Sequence, residues 1–304
     1  LRVADFVLGT VQLGLAYGAA NRTGKPNPSQ AVALLRRAVA AGVGCFDTAR
    51  AYGDSEDRLG EALSAAPVFI VTKLSPLGEL SGNAADSEVV AAVEGSVTRS
   101  LAALRKDRLD CLLLHRATHL HQFGGAVWRR LQAYAAVGTI AKLGVSVQSP
   151  AEVEMALDCA DVCHLQMPFN LLDRRWRRII PRLRQRPDVT VHVRSVLLQG
   201  LLAVSDPAVW PPIPGVDAAA VLAEIARLVK DLNRESAADL CLAYARGQDF
   251  IDGVVIGLET ETQLDDNLRL AARPPLNPSE CDMVEARLPL MPEQLLNPAL
   301  WPKT

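Results

Sequence analysis

Val43-Gly44-Cys45-Phe46-Asp47-Thr48-Ala49-Arg50-Ala51-Tyr52 opens with a short apolar run that stops at Asp47, and a tyrosine follows on what reads as a loop. Two later runs stop in the same way: Val68 to Val71 ends at Thr72-Lys73, and Leu109 to Leu114 ends at His115. Each reads as a buried strand that terminates in a polar, titratable residue. In a barrel of parallel strands such ends meet on one face, and function is expected there.

Working outward from these runs, strands alternate with helical patterns along the whole chain. Phe6 to Leu8 leads into Gly9-Thr10-Val11-Gln12, and Tyr17 to Pro28 is a polar loop rich in Gly, Asn and Pro. Pro28-Ser29 opens a helix over 30–41 that Gly42 ends. Ser55 is the expected cap of a helix to Leu63. After the strand at 68–73, the segment 74–86 reads as a long loop. Val89, Val93, Val97, Leu101 and Leu104 mark an amphipathic helix over 87–104. The second half repeats the pattern: helix 128–137, strand 140–147, helix 150–160, strand 162–167, helix 171–186 and strand 189–196. A glycine-bearing loop (197–202) and a Pro-rich excursion (207–214) precede helices 218–232 and 237–246. Strand 253–257 and a helix through Leu270 follow. Eight strand-helix units with no break in composition predict a single (β/α)8 TIM barrel over 1–304, with 274–304 as an extended tail packing on the barrel. The alternative is a doubly wound sheet. Against it, no Gly-x-Gly-x-x-Gly follows the first strand and no Gly-Lys-Ser/Thr phosphate loop occurs.

A length of 304 residues, with 49% hydrophobic and 22% charged residues, is that of a globular chain able to bury a sizeable core. A net charge of −2 gives no general attraction to nucleic acid or anionic membrane. No apolar run is long enough to span a bilayer, and Leu1-Arg2-Val3-Ala4-Asp5 lacks the apolar core of a signal peptide. The six cysteines are scattered and read as buried thiols of a reduced, cytoplasmic protein. A metal reading of Cys159, Cys163 and His164 lacks a second ligand pair, and no metal is expected. Arg174, Arg175, Arg177 and Arg178 read as a solvated helix face before a phosphate or nucleic-acid site.

With a barrel assumed, Asp47, Lys73 and His115 sit at adjacent strand ends, and Tyr52 reaches in from the loop above. Tyrosine has an ordinary pKa of about 10. A neighbouring ammonium favours the phenolate, a carboxylate holds the lysine charged, and a histidine beside the phenol can orient a carbonyl oxygen. Such a group suits protonation of a developing alkoxide or deprotonation of an alcohol. None of these residues supplies a hydride, so a cofactor must.

Phe46-Asp47-Thr48-Ala49-x-x-Tyr52-Gly53-x-Ser55-Glu56-x-x-Leu59-Gly60 resembles the signature of the aldo-keto reductases. Thr72-Lys73 and Asp110-x-x-x-x-His115 resemble that family's further landmarks, and the likeness runs from Leu8 to about Asn267. The resemblance implies an NAD(P)-dependent oxidoreductase that interconverts a carbonyl and an alcohol, with Tyr52 as general acid/base and Asp47, Lys73 and His115 in support. It implies an extended dinucleotide, NADP(H) or NAD(H). Gly9, Thr10 and Val11 would lie near the nicotinamide ribose, with Asp47. Ser146 and Gln166 would bind the carboxamide, and Arg194 would stack on the ring. Ser195, Leu197, Gln199, Gly200 and Leu201 belong to a loop that would wrap the pyrophosphate. Gly257, Glu259, Gln263, Asp266 and Asn267 would hold the adenosine end, where a helix N-terminus would favour a phosphate. Gly257, Glu259 and Gln263 stand where basic residues often meet the 2′-phosphate of NADPH, and Val147 where an asparagine is common. The cofactor preference is therefore open.

Tyr17, Arg116 and Phe169 are the expected substrate contacts, with His119 and His121 near the rim. This polar mouth points to sugars, hydroxy-aldehydes or anionic carbonyls as small-molecule partners. A second reading is a cofactor-binding regulatory subunit with the same barrel and little turnover.

Overall fold

In the computed structural model, residues 6–302 are described, so the first five residues discussed above lie outside the described residues. Eight parallel strands close into a barrel in chain order, β1 pairing with both β2 and β8. They are β1 (Phe6–Gly9), β2 (Cys45–Asp47), β3 (Phe69–Lys73), β4 (Cys111–Leu114), β5 (Leu143–Ser146), β6 (His164–Pro168), β7 (Thr190–Arg194) and β8 (Gly253–Gly257). The expected strand over 140–147 is shorter than its apolar run, because Ile140 pairs only through an isolated bridge to Leu109.

The first half carries helices α1 (Val11–Gly14), α2 (Pro28–Ala40), α3 (Ser55–Leu63) and α4 (Asp86–Leu104). Then come α5 (Ala126–Ala136), α6 (Pro150–Leu157), α7 (Ile180–Arg184) and α8 (Ala218–Asp231). The last are α9 (Ala237–Arg246), α10 (Glu261–Ala271), α11 (Pro278–Arg287) and α12 (Glu293–Leu296). Local chemistry sets many of the starts. Asn27 caps α2 through the Gln30 amide with Pro28 in the first turn, and Ser149 caps α6 ahead of Pro150. On α4, Val89, Val93, Val97 and Leu104 are buried, and Arg105 closes the helix in a left-handed conformation at φ 54°.

Four further expectations change. The helix over 171–186 is broken into a 3-10 turn, Arg174–Arg178, and the short α7. The Asp173 carboxylate accepts from the Arg175 amide and from Trp176 Nε1, competing with a helical backbone, and Pro181 brings no N–H to the following turn. The segment after Pro274 is not extended but forms α11 and α12. Arg287 of α11 pairs with Glu224 and Asp231 of α8, and Tyr244 of α9 donates to Glu285. The arginine cluster helps hold this segment rather than facing water unpaired: Arg174 donates to the Leu288 carbonyl, and Arg175 and Arg177 pair with Glu293 and Glu285. Finally, Asp54, not Ser55, occupies the cap position of α3, and the buried Ser55 hydroxyl donates instead to Thr10.

The main core lies between the barrel and its helices. A second, small cluster of Val71, Cys111 and Leu113, flanked by Cys45 and Phe69, fills the barrel interior, as the alternation along β2, β3 and β4 requires. The interior also holds two imidazoles in contact, His164 of β6 and His192 of β7, edge to face with centroids 4.3 Å apart. Neither ring nitrogen of His164 has a partner among the described residues. Burial pushes His192 down to about 4 and His164 well below its usual 6.5. Between those values and 6.5 the unfolded chain binds protons that the barrel refuses. Stability therefore falls as pH drops below 6.5, by up to about 1.4 kcal/mol per pH unit for each histidine. The thermal midpoint is expected to decline from about pH 7 to about pH 5, and the slope to flatten in His164→Gln/His192→Gln. An equally steep decline in the double variant would contradict this assignment.

Candidate active site

Asp47 is the last residue of β2, Lys73 the last of β3, and His115 follows β4 directly, so the three meet at one mouth of the barrel. Lys73 is 1% exposed, and its Nζ donates to both Asp47 carboxylate oxygens at 2.8 Å and to the Thr48 carbonyl at 2.9 Å. The Tyr52 ring centroid lies 4.9 Å from that ammonium. The His115 ring stands edge-on to Tyr52, centroids 6.0 Å apart. The four side chains expected to act together are thus in one cluster.

Tyr52 is positioned by backbone packing. Its amide bonds the Ala49 carbonyl, its carbonyl accepts from Ser55, and Gly14 and Gly53 press against each other behind it. A Cβ on Gly14 would collide with the Tyr52 carbonyl, and Gly53 sits at φ 58°, so both glycines are required by this turn. Thr10 fixes Asp47 from the other side, its amide and hydroxyl both donating to the Asp47 carbonyl at 2.9 and 2.8 Å. Glu56, fully buried, ties α3 to β3 by accepting from Thr72 at 2.6 Å and from Arg50 at 2.6 Å. Its role in the motif is architectural.

Burial alone would lower the Lys73 pKa, but the Asp47 carboxylate and the Tyr52 phenol outweigh it and hold the ammonium above the usual lysine value. His115 is pushed down to about 3, first by burial and then by the charges of Lys73, Arg194 and Arg116. It is therefore a neutral imidazole near pH 7, able to donate or accept a hydrogen bond but carrying no charge.

The cluster forms one end of a cavity of about 1190 Å³, above the range of roughly 300–1000 Å³ typical of pockets for single small ligands. Gly9, Thr10, Val11, Ser146 and Arg194 line it near the tetrad; Ser195, Leu197, Gln199 and Gly200 line its middle. Gly257 lies beside Gly9 at the end of β8, Glu259, Gln263, Asp266 and Asn267 continue the lining from there into α10, and Tyr17 and Arg116 also line the cavity. Two expected contacts have their side chains in the core, and a third is set back from the cavity surface. Phe169 is buried in the core, stacked on Tyr244 at 5.7 Å and edge-on to Phe250 at 5.7 Å, so it does not face substrate. Leu201 is fully buried, its side chain turned into the core beneath the loop. Gln166 is fully buried behind the cavity wall, with Nε2 donating to Asp47 Oδ2 at 2.6 Å.

Several features fit an extended dinucleotide. The Oε1 atoms of Gln166, beside Asp47, and of Gln12, over Gly257, are buried and without a partner among the described residues. Ser195, Leu198, Gln199 and Gly200 all have positive φ, a backbone that can turn successive N–H groups toward an anion. The Ala20 amide donates to the Gln199 carbonyl at 3.2 Å, so the loop after α1 crosses to this segment. Arg194 departs from a free stacking group: its guanidinium is pinned to the Val147 carbonyl at 3.2 Å and Gln148 Oε1 at 2.8 Å.

The start of α10 also departs from expectation. Gln263 Oε1 accepts from the Glu259 and Thr260 amides, and Thr260 Oγ1 accepts from the Gln263 amide, so the helix's own capping box occupies donors that a phosphate would need. Burial pushes the Glu259 carboxyl up, and what pulls it back is the Gln263 side chain and its own backbone, not a cation. Arg269, on the same wall, is already shared between Glu235 and Asp266. Lining residues that the motifs did not indicate include Gln12, Arg22, Gln148, Glu152 and Arg269. Only their positions beside strand ends or on the loops crossing them could have pointed to them. Among the described residues no group of three or more His, Cys, Asp or Glu side chains could hold a metal ion, and no helix is long and apolar enough to cross a membrane.

Comparison with known proteins agrees with this architecture. The chain is 25% identical to L-galactose dehydrogenase of Arabidopsis thaliana over 282 residues, 88% of this chain and 84% of that protein. The holo form of an aldo-keto reductase from Bacillus halodurans superimposes with a TM-score of 0.74 at 20% identity, covering 94% of this chain and 93% of the other. The glycerol dehydrogenase of Gluconobacter oxydans gives 0.71 at 22% identity, covering 92% and 90%. The family model described as the aldo/keto reductase family matches residues 5–288, and the chain belongs to that family.

Proposed function

We propose that the protein interconverts an aldehyde, ketone or sugar carbonyl and its alcohol, using a nicotinamide dinucleotide held along the cavity and Tyr52 as the proton donor and acceptor. The observation that carries this reading is the buried Lys73 ammonium, clamped by both oxygens of Asp47 under the Tyr52 ring, at one end of a dinucleotide-sized cavity. When bound, the dinucleotide supplies or accepts the hydride. In the reducing direction the carbonyl oxygen takes its proton from the Tyr52 hydroxyl, and Lys73 stabilises the phenolate left behind. The neutral His115 orients that oxygen by a hydrogen bond. Gln12, Gln166 and the 195–200 segment would hold the nicotinamide and the phosphates. The names of two relatives, L-galactose dehydrogenase and glycerol dehydrogenase, favour a hydroxylated substrate. Six free thiols suit a reducing, cytoplasmic setting.

Within that reading NADH is the preferred form. A 2′-phosphate would meet the half-buried Glu259 and a helix start whose amides are already taken. A like-charge term of roughly 1–4 kcal/mol predicts about tenfold or greater preference for NADH in fluorescence titrations. Glu259→Arg should narrow or reverse it. Equal or tighter NADPH binding by the unmodified protein would overturn the preference, and failure to bind either dinucleotide would overturn the function.

A further inference from the structure

Four arginines line the cavity, and they are not equivalent. Arg269 is neutralised by Glu235 and Asp266. Arg22 lies on the loop after α1, on the limb assigned to the dinucleotide. Arg194 is fixed by three neutral oxygens, of Val147, Gln148 and Ser195, which hold its direction without pairing its charge. Arg116 directly follows His115 at the end of β4, on the substrate side of the tetrad, with Nη2 against Gly78 of the loop before α4. It makes no hydrogen bond or ion pair with a carboxylate among the described residues, although most arginines of this chain do.

Two carboxylates line this end. Asp47 is neutralised by Lys73, whereas Glu152 accepts only from the Gln148 amide, at 2.5 Å, and keeps its charge beside the residue that holds Arg194. His115 carries no charge near pH 7. What faces a substrate beside Tyr52 is therefore a net positive charge, two guanidiniums against the one Glu152 carboxylate, with no acid set against Arg116. An unpaired guanidinium whose planar fork matches a carboxylate or phosphate is suited to taking one.

We propose that the substrate carries an oxyanion, a carboxylate or a phosphate, a few bonds from the carbonyl that reacts at Tyr52, and that Arg116 binds it. The inference rests on the reductase reading above and narrows its substrate class. Arg194, on the opposite strand end, adds long-range attraction, while Arg116 supplies the contact. Because Arg116 is exposed in the absence of ligand, its contribution depends on substrate and dinucleotide together displacing water from the mouth.

The test compares kcat/KM for matched carbonyl pairs with saturating NADH: carboxybenzaldehyde against benzaldehyde, and phosphorylated glyceraldehyde against glyceraldehyde. The two pairs separate a carboxylate from a phosphate as the preferred anion. At least one anionic member should be favoured about tenfold or more, as for a charge-assisted hydrogen bond, and added salt should shrink that ratio. In Arg116→Gln the ratio should collapse toward one, and Arg116→Lys should restore part of it. The ratio isolates the anion contact, since both members of a pair use the same tetrad. Dinucleotide fluorescence on each variant reports whether the barrel is intact, and if Arg116→Gln does not fold, the salt dependence of the unmodified enzyme decides. No anionic advantage in either pair, or an advantage insensitive to salt and to Arg116→Gln, would overturn the proposal. Absence of turnover for every carbonyl despite bound dinucleotide would instead strike the reductase reading, and this inference with it.

Discussion

Tyr52→Phe is expected to lower kcat by about 10²- to 10⁴-fold, the range supplied by a positioned general acid, while the dinucleotide binds with nearly unchanged affinity. The argument is geometric. Removing one hydroxyl leaves the ring between Lys73 and His115, and the turn from Ala49 to Ser55 is held by backbone contacts that phenylalanine keeps. The Lys73–Asp47 pair also survives, because Nζ is held by both Asp47 oxygens and the Thr48 carbonyl, which the substitution leaves in place. His115, pushed down to about 3, is a neutral imidazole near pH 7, whose one N–H can hydrogen-bond but is far too weak an acid to substitute as the proton donor. Nicotinamide absorbance followed with a panel of aldehydes reads the loss, and fluorescence titration reads the binding. If the variant retains a tenth or more of the activity, Tyr52 is not the donor. If the unmodified protein binds dinucleotide yet turns over nothing, the regulatory-subunit reading gains.

The barrel and the tetrad were legible because both rest on local rules. Runs such as Leu109 to Leu114 are short and uniformly apolar, and each stops at a residue that cannot stay in a dry interface unpaired. Asp47, Lys73 and His115 therefore mark strand ends as well as chemistry. What failed depended on partners distant in sequence. Phe169 follows β6 where a rim residue belongs, yet aromatic stacking on Tyr244 of α9 draws it into the core. Gln166 keeps its expected place at a strand end, and what the sequence did not show is that its Nε2 turns to Asp47, 119 residues away, and leaves only Oε1 open. The 171–186 helix fails because Asp173 offers its carboxylate to the chain at a competing place, a choice that helix periodicity does not reveal. The start of α10 shows the same limit. Gln263 was expected on the cofactor limb, but its mutual capping with Thr260, which takes donors from a phosphate, is a matter of side-chain direction.

Asp47 and Lys73 allow stability and activity to be driven in opposite directions. In Asp47→Leu the Lys73 ammonium would remain buried, with the Thr48 carbonyl still accepting from it but no carboxylate beside it. Breaking a buried pair from one side costs about 3–5 kcal/mol, and burial then favours the neutral amine, so turnover should also collapse. Lys73→Met strands the opposite charge, leaving the Asp47 carboxylate with the Gln166 amide alone among its side-chain donors. The double variant Asp47→Leu/Lys73→Met removes both charges and places apolar groups beside Leu113 and Val71, which already fill the barrel interior. Its thermal midpoint should recover at least half of the loss seen in the worse single variant. Recovery stays incomplete, because Gln166 Nε2 loses its acceptor and an unpaired buried donor costs roughly 1–3 kcal/mol. Activity should not recover at all, since the ammonium that stabilises the Tyr52 phenolate is gone. Simple additivity of the two destabilisations would show that the pair is not coupled as its 2.8 Å contacts imply, and turnover in the double variant would remove Lys73 from the chemistry.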